Sequence, residues 1–280
     1  MMFKEREITS WCPGCGNFPL RKTLKDTLNE MDLSYKDVVM FTGIGQAAKM
    51  PHFLKINGYN GLHGRVIPPA VGMRVVNPEI KVIVESGDGC SYGEGGNHFL
   101  HNMRRNLDVV HLVHNNQIYG LTKGQASPTS GTEMRTDVQP EGVTAQPLNP
   151  LRIALSSGAT FVARSFVGDR EHLAEMIEKA FKHRGYALLD ILQPCVSFNK
   201  INTYKWYSDR VKKLDNHNKN DIEAAFSKAG IWGEEIPIGV FYENERAVFR
   251  DHFPWLDDNE VISNREIDPS DMDDLLTEFQ

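Results

Sequence analysis

The sequence has 280 residues, a formal net charge of −6 and 40% hydrophobic residues. This length suits one large α/β domain or two small ones, and the acidic balance argues against a protein that binds the phosphate backbone of nucleic acids. No apolar run approaches the roughly 20 residues of a membrane-spanning helix, and residues 1–10 lack the apolar segment of a secretion signal. Four cysteines without such a signal favour metal-binding, catalytic or buried thiols. We therefore expect a cytoplasmic protein with no nucleic-acid or membrane partner.

Segments with strand-like and helix-like patterns alternate along the chain, as in a doubly wound, mostly parallel sheet. We expect an α/β domain over residues 1–200 and an extension over residues 201–280 that packs on this domain or on a partner subunit. Residues 122–149 read as a long loop, of the kind that is either functional or disordered. The predicted strands are 38–42, 80–85, 109–114, 161–163 and 187–192, and the predicted helices are 19–31, 95–105 and 172–183.

Unusual residues follow four of the predicted strands. Gly43-Ile44-Gly45 follows the first, Gly87-Asp88-Gly89 the second and Asn115-Asn116 the third, and Cys195 comes shortly after the last. Ligands of open α/β sheets bind outside the carboxyl ends of the strands. We therefore expect all four segments to lie at one edge of the sheet.

The segment Gly87-Asp88-Gly89 and Asn116 have the chemistry of a site for Mg²⁺ and a diphosphate. Asp88 offers a carboxylate oxygen, Asn116 an amide oxygen and Ile118 a backbone carbonyl, which suit a hard divalent cation that also binds phosphate oxygens. The glycines let the backbone approach the anion closely, and the following helix directs N–H groups toward it. Gly-Asp-Gly alone is also typical of a simple tight turn, but the Asn-Asn pair one helix–strand unit later favours the binding site.

Cys12 and Cys15 are separated by only two residues, Pro and Gly. This spacing is typical either of a metal or cluster site or of a dithiol redox pair. A dithiol motif normally follows a strand, whereas no strong apolar strand precedes Cys12. Ligation of a cluster or of zinc is therefore the preferred interpretation.

Four segments, in order along the chain, resemble the β subunits of 2-oxoacid:ferredoxin oxidoreductases, and most of all those of the 2-oxoglutarate type. The Gly-Asp-Gly…Asn-Asn pattern is also similar to the diphosphate-binding signature of thiamine-dependent enzymes. The resemblance covers roughly residues 8–215. The matching segments are WCPGCGNF (11–18), GLHGR (61–65), GGNHFLHNMRRNLDVVHLVHNNQIYGLTKGQASPT (95–129) and LLDILQPCVSFN (188–199).

This resemblance implies a thiamine diphosphate-binding fold and Mg²⁺ held by Asp88, Asn116 and the carbonyl of Ile118. It implies that His63 donates to the diphosphate or carries a proton, as imidazole does near neutral pH. The glutamate that activates the cofactor is expected on a partner α-type subunit, in a heterodimer or heterotetramer. The implied cofactor pocket consists of Ile44, Gly45, Gln46, His63, Gly87, Asp88, Gly89, Cys90, Asn116, Ile118, Tyr119, Gly120, Leu121 and Thr122.

In the family, four cysteines hold a [4Fe–4S] cluster, as cubane clusters normally require. This sequence supplies Cys12, Cys15 and Cys195, but Gln46 stands where the family has its remaining cluster cysteine, and Cys90 is the only other cysteine. Four outcomes are open: a cubane with a non-thiolate fourth ligand, a three-iron cluster, ligation by Cys90, or loss of the cluster. Zinc, which accepts mixed ligands, is a weaker option.

The implied reaction is oxidative decarboxylation of a 2-oxoacid to an acyl-CoA, with electrons passed to ferredoxin. Lys49 and Arg65 are candidate partners for the carboxylates of a substrate such as 2-oxoglutarate, and a solvated surface side chain is the alternative for Lys49. A competing hypothesis is a thiamine diphosphate-dependent decarboxylase or synthase subunit without a functional cluster. Another is a non-catalytic redox or zinc-binding protein, which the Asp88 and Asn116 pattern disfavours.

Overall fold

The structure of the protein is a computed structural model, and it describes residues 2–5, 9–253, 261–264, 266, 270 and 276–277. Most of the acidic C-terminal segment, including Trp255, lies outside the described residues. No helix among those that are described has the length and apolar character needed to span a membrane.

Eight strands form one sheet, in the order β2-β1-β3-β4-β8-β7-β10-β9. Neighbouring strands are parallel except for β7 and β10, which are antiparallel. The predicted α/β fold is therefore confirmed. The strands of this sheet are β1 (Val38–Thr42), β2 (Asn57–Asn60), β3 (Lys81–Gly87), β4 (Val109–Asn115), β7 (Phe161–Phe166), β8 (Tyr186–Leu192), β9 (Val211–Lys213) and β10 (Ile236–Glu243), and a separate hairpin contains β5 (Ile118–Tyr119) and β6 (Gln125–Ala126).

Helices cover both faces of the sheet, as a doubly wound arrangement requires. Along β1, Val38 and Met40 belong to the core on one face, while Val39 and Phe41 belong to the core on the other. This alternation explains why the strand is apolar throughout, since both of its faces are buried. The helices are α1 (Asn17–Glu30), α2 (Met50–Phe53), α3 (Ile67–Val76), α4 (Gly96–Arg105), α5 (Pro150–Ser156), α6 (Arg170–Lys182), α7 (Tyr204–Ser208) and α8 (Ile222–Ala229).

The chain beyond residue 200 extends the sheet of the first part. Strand β10 pairs with β7, and β9 pairs in turn with β10. Helix α8 contributes Ala225 and Ala229 to the same core as the α3 and α4 helices. The described part of the predicted extension thus packs directly on the domain, through both strand pairing and a shared core.

Candidate cofactor-binding site

The strands β1, β3, β4 and β8 are consecutive neighbours in the sheet and run parallel. Their carboxyl ends therefore meet at one edge, as expected from the motifs that follow them. One cavity lies at this edge, and every residue predicted for the cofactor pocket lines it. The lining consists of Ile44, Gly45, Gln46, Ala47, His63, Gly87, Asp88, Gly89, Cys90, Asn116, Ile118, Tyr119, Gly120, Leu121 and Thr122.

Asp88 is buried at the start of this cavity wall, with only 2% of its surface exposed. Its Oδ2 accepts hydrogen bonds from the Ser127 hydroxyl at 2.5 Å and from the Thr129 hydroxyl at 2.7 Å. Burial raises the pKa of Asp88 to about 6, against the lowering effect of these donors. Sequence reasoning missed Ser127 and Thr129, although both stand in the long loop that it singled out.

Asn115 and Asn116, adjacent in sequence, have different surroundings. Asn116 lines the cavity, whereas Asn115 is buried and donates to Oδ1 of Asp190 at 3.0 Å. Asp190 also accepts a 2.9 Å hydrogen bond from the Tyr92 hydroxyl and forms an ion pair with Arg164 at 3.2 Å. Asn115 therefore anchors the strand end, while Asn116 faces the site.

The turn after Asn116 begins and ends at residues that line the cavity, Asn116 and Ile118. Gln117 adopts a positive φ of 58°, and the Ile118 N–H donates to Oδ1 of Asn116 at 3.1 Å. The Ser130 hydroxyl holds the Gln117 carbonyl at 2.5 Å, and the Asn199 amide holds the Asn116 carbonyl at 3.1 Å. These contacts fix the conformation of the turn. Amide and carbonyl oxygens of this kind are suitable ligands for a hard cation.

The part of the chain that the structure describes contains no group of three or more His, Cys, Asp and Glu side chains placed to hold a metal ion. The predicted Mg²⁺ donors do not form such a group, because Asp88 is the only carboxylate among them. Asn116 and the Ile118 carbonyl contribute neutral oxygens instead. A site of this composition relies on phosphate oxygens of the ligand to complete the coordination of the cation.

Two observations describe the walls of the cavity. A Cβ added to Gly89 would lie 2.1 Å from Cε1 of Tyr119, so only glycine lets the backbone approach this wall so closely. In addition, Oε1 of Gln46, a lining residue, is buried and has no hydrogen-bond partner among the described residues. A buried polar atom without a partner is costly and is expected to meet a ligand group or water.

His63 and Tyr119 both line the cavity, and their ring centroids are 5.9 Å apart. Glu94 contacts both of them: its Oε2 lies 3.2 Å from Nδ1 of His63 and 3.0 Å from the Tyr119 hydroxyl. Sequence reasoning did not identify Glu94, because a single acidic residue in a glycine-rich segment has no recognisable spacing.

Cys12, Cys15 and Cys195 lie on neighbouring segments beside the site. Burial, with smaller contributions from the charges of Cys195 and Cys12, raises the pKa of Cys15 to about 11. Cys90 is buried elsewhere, with its Sγ 3.2 Å from the Gly64 N–H. Cys15 is thus close enough to Cys12 and to Cys195 for their charges to act on it, whereas Cys90 lines the cofactor cavity. No described set of three is arranged as a metal site.

A second, more open cavity adjoins the first and shares Ile44, Gly45 and Leu121 with it. Lys49 and His52 line this second cavity, which has a volume of about 340 Å³. The Lys49 ammonium group donates to the Ser10 hydroxyl at 3.1 Å. Arg65 lines neither cavity and donates instead to the backbone carbonyls of Gly64 and Glu94.

The sheet and its cavity are those of a thiamine diphosphate-binding domain. Residues 38–191 match the family model described as thiamine pyrophosphate enzyme, C-terminal TPP binding domain. Residues 195–258 match the family model for the C-terminal part of the pyruvate ferredoxin oxidoreductase beta chain.

Comparison with individual proteins shows which family within this class the chain belongs to. The chain is 43% identical to the 2-oxoacid:ferredoxin oxidoreductase subunit beta of Saccharolobus solfataricus, over 85% of this chain and 83% of that protein. It is 30% identical to the 2-oxoglutarate synthase subunit KorB of Methanocaldococcus jannaschii, over 89% and 92%. It is similar, with a TM-score of 0.91 and 33% identity over 99% and 96% of the chains, to 2-oxoglutarate:ferredoxin oxidoreductase from Magnetococcus marinus. The chain belongs to the β subunits of 2-oxoacid:ferredoxin oxidoreductases.

Proposed function

We propose that this β subunit acts with an α-type partner in the cytoplasm to oxidise a 2-oxoacid to an acyl-CoA, with ferredoxin as electron acceptor. The observation that carries the proposal is the convergence of all the predicted cofactor residues on one cavity at the strand ends. The similar Magnetococcus marinus enzyme has 2-oxoglutarate, coenzyme A and succinyl-CoA bound. The four free cysteines are compatible with a reducing compartment.

Thiamine diphosphate and Mg²⁺ are the proposed cofactors. Asp88, Asn116 and the carbonyl of Ile118 would hold the cation, and His63 would donate to the diphosphate. When bound, the cofactor supplies the electron sink for loss of carbon dioxide from the 2-oxoacid. The protein contributes orientation and charge. Ser127 and Thr129 would orient the carboxylate of Asp88 through their hydrogen bonds to its Oδ2, and Gly89 would let the backbone approach the cofactor closely.

Lys49 is the proposed partner of a substrate carboxylate. It lines the open cavity that adjoins the cofactor cavity, and its ammonium group donates there to a serine hydroxyl rather than to a carboxylate. A charge-assisted hydrogen bond from Lys49 to the distal carboxylate would favour 2-oxoglutarate over a monocarboxylic 2-oxoacid. Arg65 stays a second prediction for this role. Its hydrogen bonds to two backbone carbonyls instead favour a structural role for its side chain.

The variant Lys49→Gln tests this assignment. We expect the KM for 2-oxoglutarate to rise about tenfold or more, because a charge-assisted hydrogen bond contributes about 1.5–3 kcal/mol. The KM for pyruvate, which lacks the second carboxylate, should change little. Lys55→Gln, which removes another exposed lysine outside both cavities, is the matched control. Equal effects on both substrates would contradict the proposal.

We assign an iron–sulfur cluster to Cys12, Cys15 and Cys195, with a fourth position that lacks a thiolate. Support comes from the presence of these cysteines at the family's positions, from the influence of Cys12 and Cys195 on Cys15, and from the separate location of Cys90. The competing function is a thiamine diphosphate-dependent decarboxylase or synthase subunit without a cluster, and Gln46 in place of the family cysteine favours it. Whether this subunit transfers electrons to ferredoxin depends on which of these two assignments is correct, the subunit with a cluster or the subunit without one.

The decisive experiment is co-expression with the α-type subunit followed by anaerobic purification. The purified complex is then assayed for thiamine diphosphate, magnesium, iron and acid-labile sulfide. We expect one thiamine diphosphate and one Mg²⁺ per β subunit, together with iron and sulfide. Absence of thiamine diphosphate would refute the main proposal, whereas thiamine diphosphate without iron would establish the competing function.

A further inference from the structure

A single carboxylate contacts two residues that line the cofactor cavity. Glu94 is the last residue of the π-helical segment Gly89–Glu94. Its Oε2 lies 3.2 Å from Nδ1 of His63, and the Tyr119 hydroxyl lies 3.1 Å from Oε1 and 3.0 Å from Oε2. Both partners line the cavity, whereas Glu94 itself does not.

Close backbone contacts fix the position of Glu94 relative to His63. A Cβ added to Gly64 would lie 2.5 Å from the carbonyl oxygen of Glu94, so the loop that carries His63 packs directly against the end of the π-helical segment. The Arg65 guanidinium donates to the same carbonyl at 3.0 Å. The loop is therefore held at the two residues that follow His63, with the carboxylate 3.2 Å from the imidazole.

Tyr119 is held from the other side by the same segment. A Cβ added to Gly93 would lie 2.8 Å from the Tyr119 hydroxyl. The missing side chain at Gly93 leaves the space through which the hydroxyl reaches Glu94. Glu94 thus contacts both His63 and Tyr119, and each contact depends on the close approach of a glycine.

A carboxylate in this position opposes the proposed ligand, because like charges repel and a diphosphate is strongly anionic. Its presence at the cavity is explained if it acts through His63. A carboxylate that accepts a hydrogen bond from one imidazole nitrogen fixes the ring orientation and determines which nitrogen faces the ligand.

Nδ1 of His63 is buried and has no hydrogen-bond partner among the described residues, and the carboxylate of Glu94 lies within ion-pair distance of it, at 3.2 Å. We propose that Glu94 is a positioning residue that accepts from Nδ1–H of His63 when the diphosphate binds, which leaves Nε2 as the nitrogen that donates to the diphosphate. The inference rests on the proposed function, since it takes thiamine diphosphate as the ligand. Tyr119 holds the carboxylate in place through its hydroxyl. Glu94 therefore strengthens diphosphate binding through His63, although its own charge opposes the anion.

The variant Glu94→Gln distinguishes a positioning role from simple electrostatic repulsion, because the two predict changes of opposite sign in the Kd for thiamine diphosphate. Removal of a negative charge beside an anion would by itself tighten binding. Loss of the His63 orientation weakens it, and we expect the Kd for thiamine diphosphate to rise about tenfold, as for other residues that orient a ligand group. The Kd is measured by fluorescence titration of the cofactor-depleted complex with its α-type partner, in excess Mg²⁺.

Thiamine, which lacks the diphosphate, serves as the second ligand and should bind Glu94→Gln and the unchanged protein equally. Glu133→Gln removes the same charge from an exposed residue outside the cofactor cavity and should leave both Kd values unchanged. A double-mutant cycle with His63→Gln isolates the coupling. The double variant should bind diphosphate no more weakly than His63→Gln alone, and additive losses would overturn the inference.

The outcomes separate the two proposals. If the unchanged complex binds no thiamine diphosphate, the proposed function fails. If it binds and Glu94→Gln binds equally well or more tightly, only the role of Glu94 fails. Should Glu94→Gln not fold, Tyr119→Phe carries the test, because it removes one of the two donors to Glu94. Weaker diphosphate binding with unchanged thiamine binding would then support the inference, and unchanged binding of both ligands would overturn it.

Discussion

The hydroxyl of Ser127 donates a 2.5 Å hydrogen bond to Oδ2 of Asp88, although 39 residues separate them in sequence. Thr129 adds a second hydroxyl 2.7 Å from the same oxygen and lies 2.9 Å from Oδ1 of Asn115. The long segment after β4 therefore returns to the strand ends, where its hydroxyl groups contact the predicted Mg²⁺ ligand. The segment contains only the two short strands β5 and β6 among its described elements, so its expected role at the site rests on these contacts.

Replacement of Thr129 by valine tests whether these hydroxyl groups orient Asp88. Thr129→Val keeps the shape of the side chain and leaves buried acceptors on Asp88 and Asn115 with one donor fewer, which costs about 1–3 kcal/mol. We expect the affinity for thiamine diphosphate and Mg²⁺ to fall about tenfold, as measured by titration of the cofactor-depleted complex. Thr132→Val, at an exposed position of the same segment, is the control, and equal behaviour of the two variants would contradict the prediction.

Asp88→Asn is expected to raise the stability of the protein without cofactor and to weaken its binding of the cofactor. Burial raises the pKa of Asp88 from 3.8 to about 6, so the folded protein holds this proton more tightly than the unfolded chain does. Its contribution to stability is therefore present at low pH and is lost as the pH rises through about 6. Without cofactor at pH 8, Asp88→Asn should raise the free energy of unfolding by about 1–3 kcal/mol.

The same variant should lose Mg²⁺-dependent cofactor binding, because a neutral amide is a much weaker ligand for a hard cation. Urea unfolding without cofactor measures the first effect, and titration with thiamine diphosphate and Mg²⁺ measures the second. At pH 5 the difference in stability between the two proteins should shrink. A variant that is both less stable at pH 8 and fully able to bind cofactor would refute both parts.

The parts of the fold that were predicted from the sequence share one physical property. The strand β1 has its predicted bounds, and β3, β4 and β8 lie within one or two residues of theirs, because each is largely buried and contains a run of apolar residues. Strand β2 was missed because its four residues are exposed at the edge of the sheet and carry no apolar pattern. Strand β10 was missed because Pro237 and Gly239 interrupt its apolar residues, and its partner β7 lies far away in sequence.

The residues of the candidate site also include some that were predicted from the sequence and some that were not. Residues in contiguous motifs at strand ends, such as Asp88 and Asn116, were predicted to converge, and they line one cavity. Glu94, Ser127 and Thr129 were not predicted, because their importance arises from contacts that the tertiary fold creates. The predicted ligands thus stand in recognisable sequence motifs, whereas the residues that contact them can be identified only from distances in the structure.

His111 should make the protein more sensitive to acid. It is fully buried between Tyr186, whose hydroxyl lies 2.6 Å from Nδ1, and Ser91, whose hydroxyl lies 3.0 Å from Nε2. Burial lowers the pKa of His111 from 6.5 to about 3. Between these values the unfolded chain binds a proton that the folded protein does not, so stability falls as the pH drops below 6.5, by about 1.4 kcal/mol per pH unit.

The variant His111→Gln removes this titration and keeps a side chain that forms hydrogen bonds. Urea unfolding at pH 7.5 and at pH 5.5 should show that the unchanged protein loses about 1.4 kcal/mol more than the variant does over this interval. Other titrating groups are common to both proteins and cancel in the comparison. Equal losses in the two proteins would show that His111 is protonated in the folded state, contrary to the burial argument.

Gly89→Ala should displace Tyr119 and disrupt the cavity. The added Cβ would lie 2.1 Å from Cε1 and 2.5 Å from Cζ of the Tyr119 ring, which has to move. We expect a loss of about 1–3 kcal/mol in stability, as for other overpacked sites, and a fall of at least about tenfold in cofactor affinity. Gly96→Ala is the matched control: its added Cβ meets nothing within 4 Å at the start of α4, and alanine in a helix is favoured by about 0.5–1 kcal/mol.

A second substitution shows whether the clash with the ring is the cause. Tyr119→Ala in the Gly89→Ala background removes the ring and should restore part of the lost stability. Cofactor affinity should stay low, because the Tyr119 ring and its hydrogen bond to Glu94 form one wall of the cavity. If the double variant is as unstable as Gly89→Ala, the harm arises from the backbone at residue 89, and the close approach of Tyr119 is not what requires glycine there.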